Sequence, residues 1–242
     1  MPADEFDISV VIPAKNEEFR LPQFLQSLIS YCQKSRYCYE LIVVDDGSTD
    51  KTAEIVLNAK ALFPQLILIQ LESNYGKGFA VKQGLLSAKG HIVLFMDADG
   101  STPADEIEKN LKFFQEGYDI VIGSRVLQNN ACSVRALPYR KSMGLIFNAF
   151  VHTFLIKDIK DTQCGFKMFR RDIIRPLWGK IQIQGFGFDL EVLFLAQKMN
   201  YKIKEVAVNW THIEHSKVHL IKDSLQMLTN ILQIRSWYGN RY

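Results

Sequence analysis

Two carboxylates one residue apart, Asp97 and Asp99, close the apolar run Ile92–Met96. At an extended strand end both project to the same side and can share one hard cation through oxygen. Mg²⁺ or Mn²⁺ suits such a pair. Neither His nor Cys stands beside it to favour zinc, and Gly100 permits a tight turn that brings Ser101 in as a further oxygen ligand. The cluster Asp45-Asp46-Gly47-Ser48-Thr49-Asp50 has two readings. Asp or Ser can cap a helix beginning near Lys51 while Gly supplies the turn. Alternatively, one carboxylate accepts hydrogen bonds from a nucleobase N–H or a ribose hydroxyl. The cluster holds more acids than a cap requires. Gly76-Lys77-Gly78 lacks the spacing of a Walker loop, and no Gly-x-Gly-x-x-Gly follows the first apolar run, so ATPase and dinucleotide oxidoreductase readings lose their main support. Lys77, near a helix start, is either a solvated cation or a contact for a diphosphate.

These residues need a frame that gathers them. Short Val- and Ile-rich runs alternate with segments of helical period, which predicts parallel strands joined by crossover helices. Strands are expected at Ile8–Ile12, Leu41–Val44, Leu66–Leu71, Ile92–Met96 and Ile120–Ile122. Between the first two, Leu21, Phe24, Leu25, Leu28, Ile29 and Cys32 mark one face of an amphipathic helix. In such sheets ligands bind where strands end at their carboxyl edge. Polar clusters follow four of the apolar runs: Pro13-Ala14-Lys15-Asn16-Glu17, the Asp45–Asp50 cluster, Asp97-Ala98-Asp99-Gly100-Ser101 and Gly123-Ser124-Arg125. Their convergence on one crevice is the strongest signal in the sequence. Further on, helices are expected around Arg140–Ile156, Leu190–Met199 and Val218–Tyr238, with a strand near Cys164–Phe169. No repeat or Pro/Gly/Ser-rich linker divides the chain. The reading is one α/β domain over residues 1–217, with residues 218–242 as an appended amphipathic helix.

Composition narrows the function. The chain has 242 residues, 48% of them hydrophobic and 23% charged, a globular profile that excludes low-complexity disorder. A formal net charge of +3 is too small to imply a nucleic-acid partner. Cys32, Cys38, Cys132 and Cys164 show neither zinc-chelating spacing nor a disulfide framework, and the acidic N-terminus does not resemble a signal peptide. A reducing, cytoplasmic setting is expected. No stretch reaches the ~18 apolar residues of a bilayer span.

The series Val-Ile-Pro-Ala-Lys-Asn-Glu, Val-Val-Asp-Asp-Gly-Ser-Thr-Asp, Met-Asp-Ala-Asp-Gly and Gly-Ser-Arg resembles, in order and spacing, the inverting glycosyltransferases of family 2, which have the GT-A fold: a Rossmann-like, mostly parallel twisted sheet flanked by helices. Asp161-Thr-Gln-Cys-Gly-Phe-Lys-Met-Phe169, Gly187-Phe-Asp-Leu-Glu191 and the stretch from Val208 to Lys217 are similar to the polyprenyl-phosphate sugar transferases, the dolichyl-phosphate β-glucosyltransferases above all. The resemblance covers about residues 7–220. It implies that Pro13, Lys15, Glu17, Val44 and Asp46 hold the nucleoside of a nucleotide sugar, while Asp97, Ala98 and Asp99 hold the sugar diphosphate and its Mg²⁺ or Mn²⁺. Related mannosyl-phosphate transferases carry Gln where Ser101 stands. Arg125 and Lys217 match phosphate-contacting positions, and Arg140, Lys167 and Lys77 are further candidate phosphate partners.

The implied activity is metal-dependent transfer of glucose from UDP-glucose to dolichyl or another polyprenyl phosphate. GDP-mannose, another UDP-sugar, a glycan hydroxyl acceptor and a catalytically silent nucleotide-sugar- or lipid-binding scaffold are the alternatives. Asp99 and Arg125 are expected at the reacting centre. Asp161 and Asp189 are expected to position substrate or to pair with Lys167 and other cations. A lipid phosphate places the enzyme peripherally on the cytosolic face of a membrane. Two segments suit that contact: Leu145–Leu155, preceded by Arg140 and Lys141, and the terminal helix with Arg235, Trp237, Tyr238 and Arg241 at its end. The first lies between the Arg125 and Asp161 motifs and is expected to meet the membrane. The second reads equally as a helix packed on its own domain.

Overall fold

The structure, a computed structural model, describes residues 6–127, 132–135, 155–156, 158–213 and 220–239. Apolar runs and amphipathic segments alternate as β1 (Ile8–Ala14), α1 (Leu21–Lys34), β2 (Tyr39–Asp45), α2 (Thr52–Ala59), β3 (Leu66–Gln70), α3 (Lys77–Ser87) and β4 (Ile92–Met96). Two short helices, α4 (Glu106–Asn110) and α5 (Lys112–Gln115), lead to β5 (Ile120–Ser124). Then come β6 (Val134–Arg135), β7 (Phe166–Arg170), α6 (Arg171–Trp178), α7 (Phe188–Lys198), β8 (Ile203–Ala207), β9 (Trp210–Thr211) and α8 (Leu220–Tyr238).

Seven strands form one sheet in the order β3-β2-β1-β4-β7-β5-β8. All neighbours are parallel except β7, which runs antiparallel between β4 and β5. The sheet is buried on both faces, because alternate residues of each strand feed two cores. Val11, Ile42, Val44 and Phe95 pack under α3, α6 and α7. Val10, Leu41, Val43 and Leu94 pack under α1 and α2. The expected face of α1 is the buried one: Leu21, Phe24, Leu25, Leu28, Ile29 and Cys32. Each large apolar side chain so buried contributes about 1.5–3 kcal/mol.

Register brings the polar strand ends together. Ala14 lies beside Asp45, and β4 ends at Met96, opposite the first residue of antiparallel β7, Phe166. The lead-in to β7, Asp161–Gly165, therefore enters at the edge where β1, β2, β4 and β5 finish. The strand order turns back between β1 and β4, the place where open α/β sheets open a crevice.

One feature differs from the sequence expectation and another is not tested by the described residues. Strand β8 is not legible in the sequence, because at the sheet's edge only Val206 of its five residues is fully buried. The helix expected around Arg140–Ile156 falls mostly outside the described residues. In α8, Ile231, Ile234 and Tyr238 are buried against the domain while Leu232 is 70% exposed. The Tyr238 hydroxyl lies 2.7 Å from Glu191 Oε1 and 2.9 Å from the Lys180 carbonyl, tying the end of α8 to α7. Among the described residues no helix is long and apolar enough to cross a membrane, and the four cysteines are free thiols.

Candidate active site

A cleft of about 560 Å³ opens at the carboxyl edge, lined by Pro13, Lys15, Glu17, Asp46, Lys77 and the Asp97-Ala98-Asp99 turn. Arg20, Asn74, Gly185 and Phe186 are also part of its wall. A second cavity, about 570 Å³ between α3 and α6, lies at the opposite edge and gathers none of the strand-end clusters.

The turn after β2 divides its acids among separate tasks. Asp45 Oδ1 accepts the Ser48 amide at 2.9 Å, closing the turn. Asp50 Oδ1 accepts the Thr52 amide at 3.0 Å, fixing the turn that leads into α2. Asp46 faces the cleft and also accepts the Tyr75 and Gly76 amides at 2.7 and 2.9 Å. The structural and cleft-facing roles thus coexist in one cluster. Glu17 is held by a two-point bond from Arg20, at 2.7 and 2.6 Å, and its amide donates to Thr52 Oγ1 at 2.7 Å.

Gly76-Lys77-Gly78 is a packing device rather than a phosphate loop. Gly76 has φ 103°, and a β-carbon there would fall 2.6 Å from the Gln184 carbonyl oxygen. At Gly78 a β-carbon would lie 2.7 Å from Phe188 Cβ and 2.8 Å from the Ile183 carbonyl oxygen. The two glycines let the 183–185 segment close onto α3, where Phe79 N donates to the Gln184 carbonyl at 3.2 Å. Lys77, between them, is aimed at Asp97: Nζ lies 2.6 Å from Oδ1. The Phe186 ring stands 5.8 Å from the same ammonium.

Burial alone would raise the pKa of Asp97, but the Lys77 charge and hydrogen bond outweigh it and hold the carboxyl below its ordinary value. Asp99 moves the other way, raised by burial and by the neighbouring Asp97 charge. Its Oδ1 accepts the Ser101 amide at 2.9 Å, and Arg20 Nη1 stands 3.9 Å from Oδ2. Two acidic side chains of one cleft, 34% and 24% exposed, fit a hard cation that takes its remaining oxygen ligands from elsewhere. Among the described residues no three His, Cys, Asp or Glu side chains converge as a self-sufficient cage. The donor set therefore suits Mg²⁺ or Mn²⁺ shared with a ligand.

Several expected site residues take other places. Ser101 is buried and its amide holds Asp99, so it orients the carboxylate and does not line the cleft. Val44 is fully buried under Gly84 and contributes core, not a nucleoside contact. Lys167, expected at a phosphate, is fully buried: Nζ bonds Asp189 Oδ1 at 2.6 Å and the Cys164 carbonyl at 2.8 Å. Its charge acts only through neighbours, helping to keep Asp97 ionised. Asp189 takes the pairing role expected of it and does not line the cleft; burial raises its pKa more than Lys167 lowers it. Arg125 donates from Nε and Nη2 to the two oxygens of Asp161, at 2.8 and 2.9 Å, and from its amide to Oδ2 at 2.9 Å. Burial would raise Asp161, yet Arg125 brings it below its ordinary value. The guanidinium stands 5.6 Å from the Trp210 ring and retains one-third exposure. Arg140 and Lys217 lie outside the described residues.

Arg20, Asn74 and Phe186 were not anticipated. The Glu17-x-x-Arg20 spacing, one helical turn, and an aromatic between two glycines at Phe186 were the available signals.

The model for Glycosyl transferase family 2 matches residues 9–178. The chain is 38% identical over 250 residues to a dolichyl-phosphate beta-glucosyltransferase of Dictyostelium discoideum, covering 98% of this chain and 76% of that protein. It is 36% identical over 244 residues to the Homo sapiens protein of the same name, covering 96% and 75%. Among solved structures, glucosyl-3-phosphoglycerate synthase from Mycobacterium tuberculosis in complex with Mn²⁺, UDP and glucosyl-3-phosphoglycerate matches with a TM-score of 0.70 at 20% identity, covering 95% of this chain and 80% of that one. That last likeness is one of fold. With strand ends converging on a two-carboxylate cleft, a family match over most of the chain and relatives aligned along nearly all of it, this chain belongs to glycosyl transferase family 2 and is a glycosyltransferase of GT-A fold.

Proposed function

We propose that the enzyme transfers glucose from UDP-glucose to dolichyl phosphate or a related polyprenyl phosphate, with Mg²⁺ or Mn²⁺, on the cytosolic face of a membrane. The observation that carries the reading is the meeting of Asp97 and Asp99 with Lys15, Asp46 and Lys77 in one cleft. The names of the relatives at 36–38% identity support the acceptor and the sugar. The Mn²⁺- and UDP-bound neighbour supports a divalent cation beside a uridine nucleotide.

In this reading Pro13, Lys15 and Asp46 hold the nucleoside, and Asp97 and Asp99 hold the cation against the two donor phosphates. When bound, that cation neutralises charge gathering on the departing diphosphate. Lys77, at the first turn of α3, adds a positive charge on the same side. A phosphate monoester has a second pKa of about 6 and is largely dianionic at neutral pH, so it needs no base to attack. One of its oxygens bonds to C1 as the bond from C1 to the diphosphate breaks, and the electron pair leaves with UDP. The commitments of Asp161 to Arg125 and of Asp189 to Lys167 accord with a reaction that asks neither to take a proton. The Leu145–Leu155 segment, with Arg140 and Lys141, supplies the membrane contact.

The test is transfer from a panel of radiolabelled nucleotide sugars to dolichyl phosphate in detergent micelles. Lipid-linked product from UDP-glucose, and not from GDP-mannose or other UDP-sugars, is expected. Product from another donor reassigns the sugar. Nucleotide-sugar binding with no lipid product from any donor overturns the acceptor and directs attention to soluble glycans or to a silent scaffold.

A further inference from the structure

Lys77 and a divalent cation require the same carboxylate. Lys77 Nζ lies 2.6 Å from Asp97 Oδ1. The carboxylate as a whole is packed on the chain at Gly165, where a β-carbon would lie 1.9 Å from Oδ2 and 2.7 Å from Oδ1, so it cannot turn freely away from Lys77. The ammonium thus holds one of the two carboxylate oxygens that a cation would use. This lysine is not a loose surface group. It is fixed between Gly76 and Gly78 by the close approach of the Ile183 and Gln184 carbonyls, with the Phe186 ring against its tip. An ammonium and a dication on a single carboxylate repel each other strongly in a partly buried cleft.

We infer that Lys77 competes with the metal for Asp97 and yields it only when a nucleoside diphosphate is present to receive the ammonium, so that metal and donor bind as a coupled pair. The inference rests on the proposed metal role of Asp97 and Asp99. The diphosphate brings negative charge to which Lys77 can transfer, and that removes the competitor from Asp97. Each ligand then raises the affinity of the other by the same factor, as linkage demands. A cleft built this way holds metal poorly until donor arrives, which ties assembly of the reacting centre to the presence of substrate.

The experiment is titration of Mn²⁺ into the full chain, with free Mn²⁺ read by electron paramagnetic resonance, with and without UDP. Wild type is expected to bind Mn²⁺ weakly alone and about tenfold or more tightly with UDP. Lys77→Met is expected to bind Mn²⁺ alone about tenfold more tightly than wild type, with the UDP enhancement shrinking by a similar factor. Lys77→Arg, which keeps the charge, is expected to resemble wild type. Lys77→Gln is a second neutral variant should the Met protein fail to fold, judged by circular dichroism. Unchanged or weaker Mn²⁺ binding in a folded neutral variant overturns the inference and leaves Lys77 a phosphate contact alone. Asp97→Asn separates the two ideas. If Mn²⁺ binding with UDP is insensitive to Asp97→Asn, the metal reading itself fails and the competition with it.

Discussion

Asp97 and Asp99 stand two residues apart, and the fold treats them oppositely. Lys77 stabilises the charge on Asp97, whereas burial and Asp97 itself disfavour the charge on Asp99. A carboxyl whose pKa is raised in the folded state destabilises the fold at neutral pH, and that cost disappears as pH falls below the unfolded value. Without metal, Asp99→Asn is therefore expected to raise the melting temperature at pH 7, by about 2–4 °C for a change on the order of 1 kcal/mol. A melt in chelator checks this; a lower melting temperature would contradict the electrostatic account. Asp161 has the reverse sign. Its folded pKa lies below the ordinary value, so its contribution is present above the unfolded pKa of about 3.9 and is lost as pH falls through the folded one. Asp161→Asn should flatten the acid limb of the stability curve below about pH 4, measured by urea unfolding across pH. The residue scale is also where the sequence is least legible. The pairing of Asp189 with Lys167 is among the sequence readings and is the one observed, but full burial of Lys167, which removes it from any phosphate, is not legible from its neighbours. Arg20, at the N-cap of α1, is signalled only by its spacing of three residues from Glu17. Ser101 has the chemistry of a ligand, but the geometry of a support.

At the scale of elements, the strand ends do the gathering and the glycines set the tolerances. Gly78→Ala would press a β-carbon on Phe188 Cβ at 2.7 Å and on the Ile183 carbonyl at 2.8 Å, both in a packed region. A cost of about 1–3 kcal/mol is expected, since overpacking a dense interior forces backbone shifts. The 183–186 segment borders the cleft, so the donor KM should rise several-fold along with the loss of stability. Thermal melts and donor KM measured together check this; a change in one without the other would argue that the loop and the cleft are independent. Elements with strong periodicity were legible. Helix α1 buries the six residues its spacing marks, and β1 to β5 lie where Val- and Ile-rich runs place them. Strand β8 was hidden because an edge strand with one deeply buried residue leaves no alternation to read. The antiparallel insertion of β7 was hidden because strand direction is a property of connection and not of composition.

Across the whole molecule, a mixed seven-stranded sheet delivers residues from positions 13 to 186 to one edge, and the catalytic function follows from that convergence. Convergence was legible for three of the four polar clusters, those after the parallel neighbours β2, β1 and β4, which line the cleft; the fourth, at the end of β5, lies beyond antiparallel β7 and sends Arg125 to Asp161. Membrane contact also belongs to this scale. In α8, Ile231, Ile234 and Tyr238 face the domain, and the proposed bilayer contact is placed on the Leu145–Leu155 segment from its sequence. Changing Phe147, Phe150 and Phe154 together to Ser should lower binding to anionic vesicles by at least about 100-fold, from burial worth 1.5–3 kcal/mol per ring. UDP binding should persist; vesicle flotation reads the first and calorimetry the second. The central claim, that a cation on Asp97 and Asp99 drives sugar transfer to a lipid phosphate, is tested most directly by the initial rate of glucose transfer from UDP-glucose to dolichyl phosphate. Wild type and Asp99→Asn would be compared with Mg²⁺ and with chelator. A wild-type rate abolished by chelator and lowered at least about 100-fold by the substitution is the expected result. A rate that survives both would contradict the account.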